Sequence, residues 1–261
     1  MRLEWSRVID FIARRDAALA SSFVGVRQSE IDAVQAQYRI TLPSTYVDFL
    51  RTMGENSGEL YPFGETYVHT FSALLEQLPP EDYPAERFFK VVFVAEEFAV
   101  DPIDTYLDLS RSDGHDAPLV EFEPPLGPNE TNFSEDHLSF AERLIYNVFR
   151  RLDVDQRRYG ADIVVFGRDP WNGTGIKQAA LDVLIRSGFA AALPDLGRVG
   201  CLSRESVSVL ISVSDKGKLV KFEMGGDSRD AIEQPVRDLL AAVPGAKLSG
   251  PPAERTDEAG S

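Results

Sequence analysis

The stretch FVGVRQSEIDAVQAQYRITLPSTYVDFLRTMGENSGEL, Phe23 to Leu60, decides how this chain is read. Ser29 is a good N-cap, and Glu30 and Asp32 follow in a first turn where the helix dipole favours anions. Ile31, Val34 and Tyr38 fall at helical spacing and predict one amphipathic helix. A further helix starts near Pro43, a residue suited to the first helical position. Its expected buried face is Tyr46, Phe49, Leu50 and Met53. Gly54 is expected to stop it as a left-handed C-cap, before the turn Asn56-Ser57-Gly58.

Upstream, Trp5, Val8, Ile9 and Ile12 share one face of an initial helix. Downstream the texture changes. Residues 67–70 read as extended, and 71–78 as a short helix ended by Pro79-Pro80. FFKVVFV, residues 88–94, is β-branched and aromatic and predicts a buried strand. Residues 105–109 and 119–122 predict two more, joined by the polar loop Ser112-Asp113-Gly114-His115-Asp116. Ser134, followed by Glu135 and Asp136, is expected to cap a long helix with Phe140, Leu144, Val148 and Leu152 inward. Arg150, Arg151, Arg157 and Arg158 then suit its C-terminal dipole.

A boundary is expected near residues 157–160. Beyond it come a strand at 163–166, a Gly-rich loop and a helix at 176–187. Strands at 197–202, 207–213 and 219–224 and a helix at 228–242 follow. The fold class expected is α+β. Residues 1–158 place helices on a mostly antiparallel sheet, and 159–248 form a smaller α+β domain. Residues 249–261, SGPPAERTDEAGS, have the composition of a disordered tail. There are no internal repeats and no heptads.

The 261 residues carry 27 Lys and Arg against 42 Asp and Glu, a formal net charge of −15. This argues against a surface built for nucleic acid or anionic lipid, because both need a basic footprint. A single cysteine, Cys201, cannot make an intramolecular disulfide, and its apolar strand predicts a core thiol. The start, MRLEWSRVIDFIARRDAA, lacks the apolar run of a signal peptide, so a cytoplasmic location and no membrane span are expected. The charge is uneven. Residues 76–142 hold 17 acidic residues against three basic ones (Arg87, Lys90 and Arg111), net −14. Such a surface either solvates the chain or docks a basic partner.

Chemistry-bearing motifs are weak. The loop GRDPWNGTG, Gly167 to Gly175, follows a strand and opens a helix, where backbone N–H groups could hold an anion. It lacks the lysine of a P-loop and the spacing of a dinucleotide fingerprint. His69, His115 and His137 stand apart with no metal-ligand spacing. Asp113, His115 and Asp116 crowd one loop, as a solvated turn or a cation and acid–base site. No nucleophile elbow is present, and no metal or cofactor is expected.

The run Ile40-Thr41-Leu42-Pro43, with Tyr46, Phe49-Leu50 and the following glycine-rich turn, resembles the SUKH superfamily. TYLDLS (105–110), APLVEFEP (117–124) and SFAERL (139–144) are similar to its later strands and closing helix, so the likeness spans about residues 5–152. The resemblance implies a non-enzymatic protein-binding domain, in bacteria an immunity protein that neutralises a toxin, often a nuclease or deaminase. Together with the charge map it implies a basic protein toxin held on an acidic face. The expected contact residues are Glu96, Glu97, Asp101, Asp104, Asp108, Asp113, Asp116 and Glu121. Two alternatives stand beside this. One is a regulatory scaffold of the cell-wall-regulator type. The other is an enzyme that uses the Gly167–Gly175 loop on a phosphorylated ligand.

Overall fold

The computed structural model describes residues 3–63, 67–76, 87–94, 104–122, 134–167, 171–214 and 218–255, with backbone alone at 94, 122 and 134–137. The first helix, α1 (Trp5–Arg15), does not join the helices that follow it. The chain divides into one unit of residues 16–147 and another that combines Leu3–Arg15 with the chain from Val148 onward. The expected boundary near 158 therefore moves upstream, and the expected N-terminal domain loses its first helix. Both units mix helices with antiparallel sheet, as the α+β reading requires.

Residues 16–147 begin with α2 (Ala17–Ser21), whose first turn is capped by Asp16 accepting from the Leu19 amide at 2.8 Å. The next helix, α3 (Gln28–Tyr38), starts one residue before the expected Ser29. Arg27 takes the cap position, and Glu30 reaches back to accept its backbone N–H at 3.2 Å. Arg39 ends α3 in the left-handed region, at φ 54°, while the Ile40 amide donates to Gln35 O. The Gln35 side chain then accepts from the Leu42 amide at 2.9 Å and fixes the turn into α4 (Ser44–Met53).

Tyr46, Phe49, Leu50 and Met53 of α4 are buried, as their spacing predicts. They meet Phe63, Phe89 and Phe140 in an aromatic cluster, with the Tyr46 and Phe140 rings 5.0 Å apart and nearly perpendicular. Gly54 corrects one expectation. Its φ is −68°, so it is not left-handed. A side chain there would press within 2.9 Å of Val26 and closer still on Leu50, so close approach selects the glycine.

The sheet of this unit is a meander, β1 (Tyr67–Val68), β2 (Phe88–Val94), β3 (Asp104–Asp108), β4 (Pro118–Phe122) and β5 (Ser134–Ser139), with each neighbour antiparallel. Helix α5 (Phe71–Glu76) sits between β1 and β2 in sequence. Every residue of β3 is buried. The long helix expected from Ser134 is corrected to a strand followed by α6 (Phe140–Phe149). The helix is capped by Ser139, whose hydroxyl accepts from the Glu142 amide at 3.3 Å, while Glu142 accepts from the Ser139 amide at 3.0 Å.

The second unit continues with a π-helical turn at Arg150–Val154, then β6 (Tyr159–Phe166) and α7 (Gly173–Arg186). The short β7 (Ala190–Ala191), β8 (Val199–Arg204), β9 (Val207–Ser214) and β10 (Leu219–Gly226) come next. They are followed by α8 (Arg229–Ala242), β11 (Ala246–Leu248) and β12 (Ala253–Glu254). The strand order is β11-β6-β10-β9-β8-β7, with β12 beside β6. Alternate residues split the sheet into two faces. Ile163, Val165, Val209, Ile211, Phe222 and Met224 pack with Leu181 and Leu184 of α7 and Val236 and Leu239 of α8. On the opposite face the π-turn lies so close that Val154 O occupies the space of a Gly225 side chain. Helix α1 packs on that turn, with the Phe11 and Phe149 rings 5.8 Å apart.

Residues 253–255 lie in the expected disordered tail, yet they pair with the sheet. Ala253 stands opposite Gly160, Glu254 opposite Tyr159, and the Arg255 amide donates to Arg158 O at 2.8 Å. The expectation for this part of the tail is therefore corrected.

Candidate functional site

Of the eight acidic residues nominated from sequence, Glu96, Glu97 and Asp101 lie outside the described residues. The other five do not share one solvent face. Asp104 is buried on β3, where its Oδ2 accepts from Lys90 Nζ at 2.6 Å and from the Tyr106 hydroxyl at 3.2 Å. Burial and the Asp104 charge together push the Tyr106 phenol up. Asp108 is fully buried. Its Oδ1 accepts from the Ser110 amide at 3.1 Å, and its Oδ2 from Arg111 Nε at 2.8 Å, with Arg87 at 3.7 Å. These two carboxylates hold the sheet and its exit turn. They are corrected from contact residues to internal partners, because a buried carboxylate without its cation is costly.

Asp116 is half-buried and also has internal work. Its Oδ1 accepts from the Ala117 amide at 2.9 Å and from the Ala141 amide, in the first turn of α6, at 3.1 Å. Burial pushes its carboxyl above the ordinary value, against the hydrogen bonds from Ser139, Ala141 and Ala117. Asp113 is exposed, and its Oδ1 accepts from the His115 and Asp116 amides, both at 2.8 Å, which holds its carboxyl below the ordinary value. Glu121 on β4 is half-exposed, opposite Thr105. Asp113 is thus the one fully exposed member among the described candidates.

The loop around Asp113, His115 and Asp116 serves two helices. The carbonyls of Gly114 and His115 accept from the Ser44 and Thr45 amides at 3.1 and 3.0 Å, satisfying the start of α4. The Ala117 carbonyl and the Asp116 carboxylate do the same for Phe140 and Ala141 of α6. This is the geometry of a shared cap. Among the described residues no three His, Cys, Asp or Glu side chains are grouped to hold a metal ion.

The Gly167–Gly175 loop is described at Gly167 and from Trp171 onward. A side chain on Gly167 would collide with the Trp171 indole, and one on Gly173 would lie 2.6 Å from Val213. Asn172 caps α7 and accepts the Gly175 amide at 3.0 Å. These glycines make room for Trp171, and one first-turn amide, that of Gly175, is engaged by the Asn172 cap. Cys201 is buried, and burial pushes its thiol well up, which suits a core thiol.

The sequence reading missed a set of buried charges. Lys177 of α7 is buried and donates to Asp195 and to Gly197 O. Asp153, on the π-turn, is buried between Arg15 of α1 at 2.7 Å and Arg157 at 3.2 Å. Arg157 in turn holds Asp227 at 2.9 Å. Asp153 and Arg157 stand four residues apart, but Arg15, Asp227 and Asp195 lie 138, 70 and 18 residues from their partners, so local spacing does not announce those pairs.

The division into units sorts the charge further than sequence windows did. Residues 16–147 hold 24 acidic and seven basic residues, net −17. Residues 3–15 with 148–261 hold 18 and 19, net +1. The chain matches no protein-family model and no curated protein at a significant level. No helix among the described residues is long and apolar enough to cross a membrane.

Proposed function

We propose that the chain is a non-enzymatic protein-binding protein of the bacterial immunity type, in which residues 16–147 capture a basic protein toxin such as a nuclease or deaminase. The observation that carries this reading is the confinement of net −17 to one unit, beside a unit that is almost neutral. A cleft built to hold nucleic acid is basic, and an acidic surface complements it and speeds encounter. The resemblance of residues 23–60 to the SUKH superfamily points to the same class. A cytoplasmic location belongs to this reading.

The buried pairs decide which residues test it. Reversing Asp104 or Asp108 would break the sheet and say nothing about docking. Reversal is informative at Asp113, Glu121, Glu96, Glu97 and Asp101. Co-expression with the product of the neighbouring reading frame is expected to relieve its toxicity. Association of the two proteins should slow as ionic strength rises. Asp113→Lys with Glu97→Lys should cut the association rate at least tenfold. An unchanged rate in both tests would remove the electrostatic face, and no rescue by this chain would remove the immunity reading.

A further inference from the structure

The edge of β6 at Tyr159–Gly160 carries a built slot for an arginine side chain. Gly160 is what opens it. A side chain there would stand 2.8 Å from Nε of Arg255 and 3.1 Å from its Nη2. The guanidinium therefore lies flat on bare backbone. It donates from Nη1 to Asp155 and from Nη2 to Met224 O at 3.4 Å. The other oxygen of Asp155 lies 3.4 Å from Arg150 Nε. A planar fork against a carboxylate and a carbonyl, over a glycine floor, selects guanidinium over ammonium.

The segment that fills the slot is lightly attached. Strand β12 has two residues, both exposed. Pro251 and Pro252 precede it and carry no N–H, so the ladder cannot extend upstream. Beyond Ser249, the segment is held by its pairing to Tyr159 and Gly160, by the Arg255 amide on Arg158 O, by Glu254 on Arg158 at 2.7 Å, and by the Arg255 guanidinium on Asp155 and Met224 O. The next stretch of β6, Ile163–Val165, belongs to β11. A strand edge covered by so short a piece is a template for an added strand.

We propose that the β6 edge at Tyr159–Gly160 is a strand-addition site that reads an arginine in an extended peptide of a partner protein, held shut in cis by residues 253–255. The occupant is a partner's extended segment with arginine at the register position of Arg255. This inference does not depend on the acidic unit or on the immunity reading, because its residues lie in the other unit.

The test uses a fluorescent peptide, Pro-Pro-Ala-Glu-Arg-Thr, titrated against the intact chain and against a chain ending at Pro252. The shortened chain is expected to bind it saturably and at least tenfold more tightly than the intact chain, whose tail competes at high effective concentration. Lysine or alanine in place of the peptide arginine, or Gly160→Ala or Asp155→Asn in the protein, should each cost tenfold or more. No saturable binding by a shortened chain that still unfolds cooperatively overturns the proposal, as does equal binding of the alanine peptide. If the shortened chain does not unfold cooperatively, full-length Arg255→Ala takes its place and must outbind the intact chain tenfold; equal binding overturns the site. Sedimentation covers the remaining occupant. A dimer of the intact chain that disappears on shortening would make a second copy the occupant and overturn the partner.

Discussion

At the scale of single residues, buried polar groups set the most specific expectations. His69 is buried, with Nε2 2.9 Å from the Ser57 hydroxyl, and burial lowers its pKa to about 4 against the Tyr67 backbone. A base depressed in the folded state stabilises the fold above its ordinary pKa, near 6.5, and loses that contribution as pH falls toward 4. The shift predicts a loss of roughly 2–3 kcal/mol between pH 7 and pH 4.5 from this group. Urea unfolding at both pH values should show it, and His69→Phe should abolish that share of the loss. Tyr46 makes a different point. Its ring is fully buried, and its hydroxyl has no hydrogen-bond partner among the described residues. Removing an unsatisfied buried hydroxyl recovers its desolvation cost, so Tyr46→Phe should raise stability by about 1 kcal/mol. A fall of the same size would show that the hydroxyl is paired in solution. The sequence announces Tyr46 as core through its helical spacing. It announces nothing about the hydroxyl, because satisfaction depends on atoms brought from other elements.

At the scale of elements, the start of α6 shows where local reading succeeds and where it fails. Ser134-Glu135-Asp136 and Ser139-Phe140-Ala141-Glu142 both carry helix-start signals, and local propensity cannot choose between them. Sheet pairing chooses. Glu121 takes Ser134 and Pro118 takes Ser139 as partners, so residues 134–139 are committed to β5 and the later signal becomes the cap. Ser139→Ala should then cost about 1–2 kcal/mol, because it removes the acceptor of the Glu142 amide and a partner of Asp116. Ser134→Ala should cost less than half as much. Equal losses in thermal or urea unfolding would restore the longer helix. The loop at Ser112–Asp116 carries the same lesson. Its crowded polar side chains read as a possible site, yet its carbonyls and carboxylate close the first turns of α4 and α6. The start of α4 near Pro43 was legible, whereas that of α6 was expected at Ser134 and lies at Phe140. What satisfies them was not, since the acceptors lie 70 residues away in one case and 25 in the other.

For the whole molecule, charge and topology separate along the same line. Helix α1 was legible as an amphipathic helix, but its destination was not, because Arg15 meets Asp153 across 138 residues. That contact takes α1 and its three basic residues from the N-terminal stretch to the other unit, and leaves residues 16–147 with net −17. Such a charge opposes its own compaction, and salt screens the repulsion over about 10 Å at 0.1 M. Residues 3–15 with 148–261, at net +1, have little repulsion to screen. Their ion pairs, such as Arg157–Asp227 and Arg158–Glu254, weaken slightly instead. Both tryptophans, Trp5 and Trp171, belong to that near-neutral unit, so their fluorescence reports on it alone. Raising NaCl from 0.05 to 0.5 M should therefore leave the fluorescence-detected unfolding midpoint unchanged or slightly lower. Over the same range, hydrogen-exchange protection of the β3 amides, residues 104–108, should rise by about tenfold or more. A common salt response from both probes would mean that the two units unfold as one and that the acidic charge is already neutralised within its own fold.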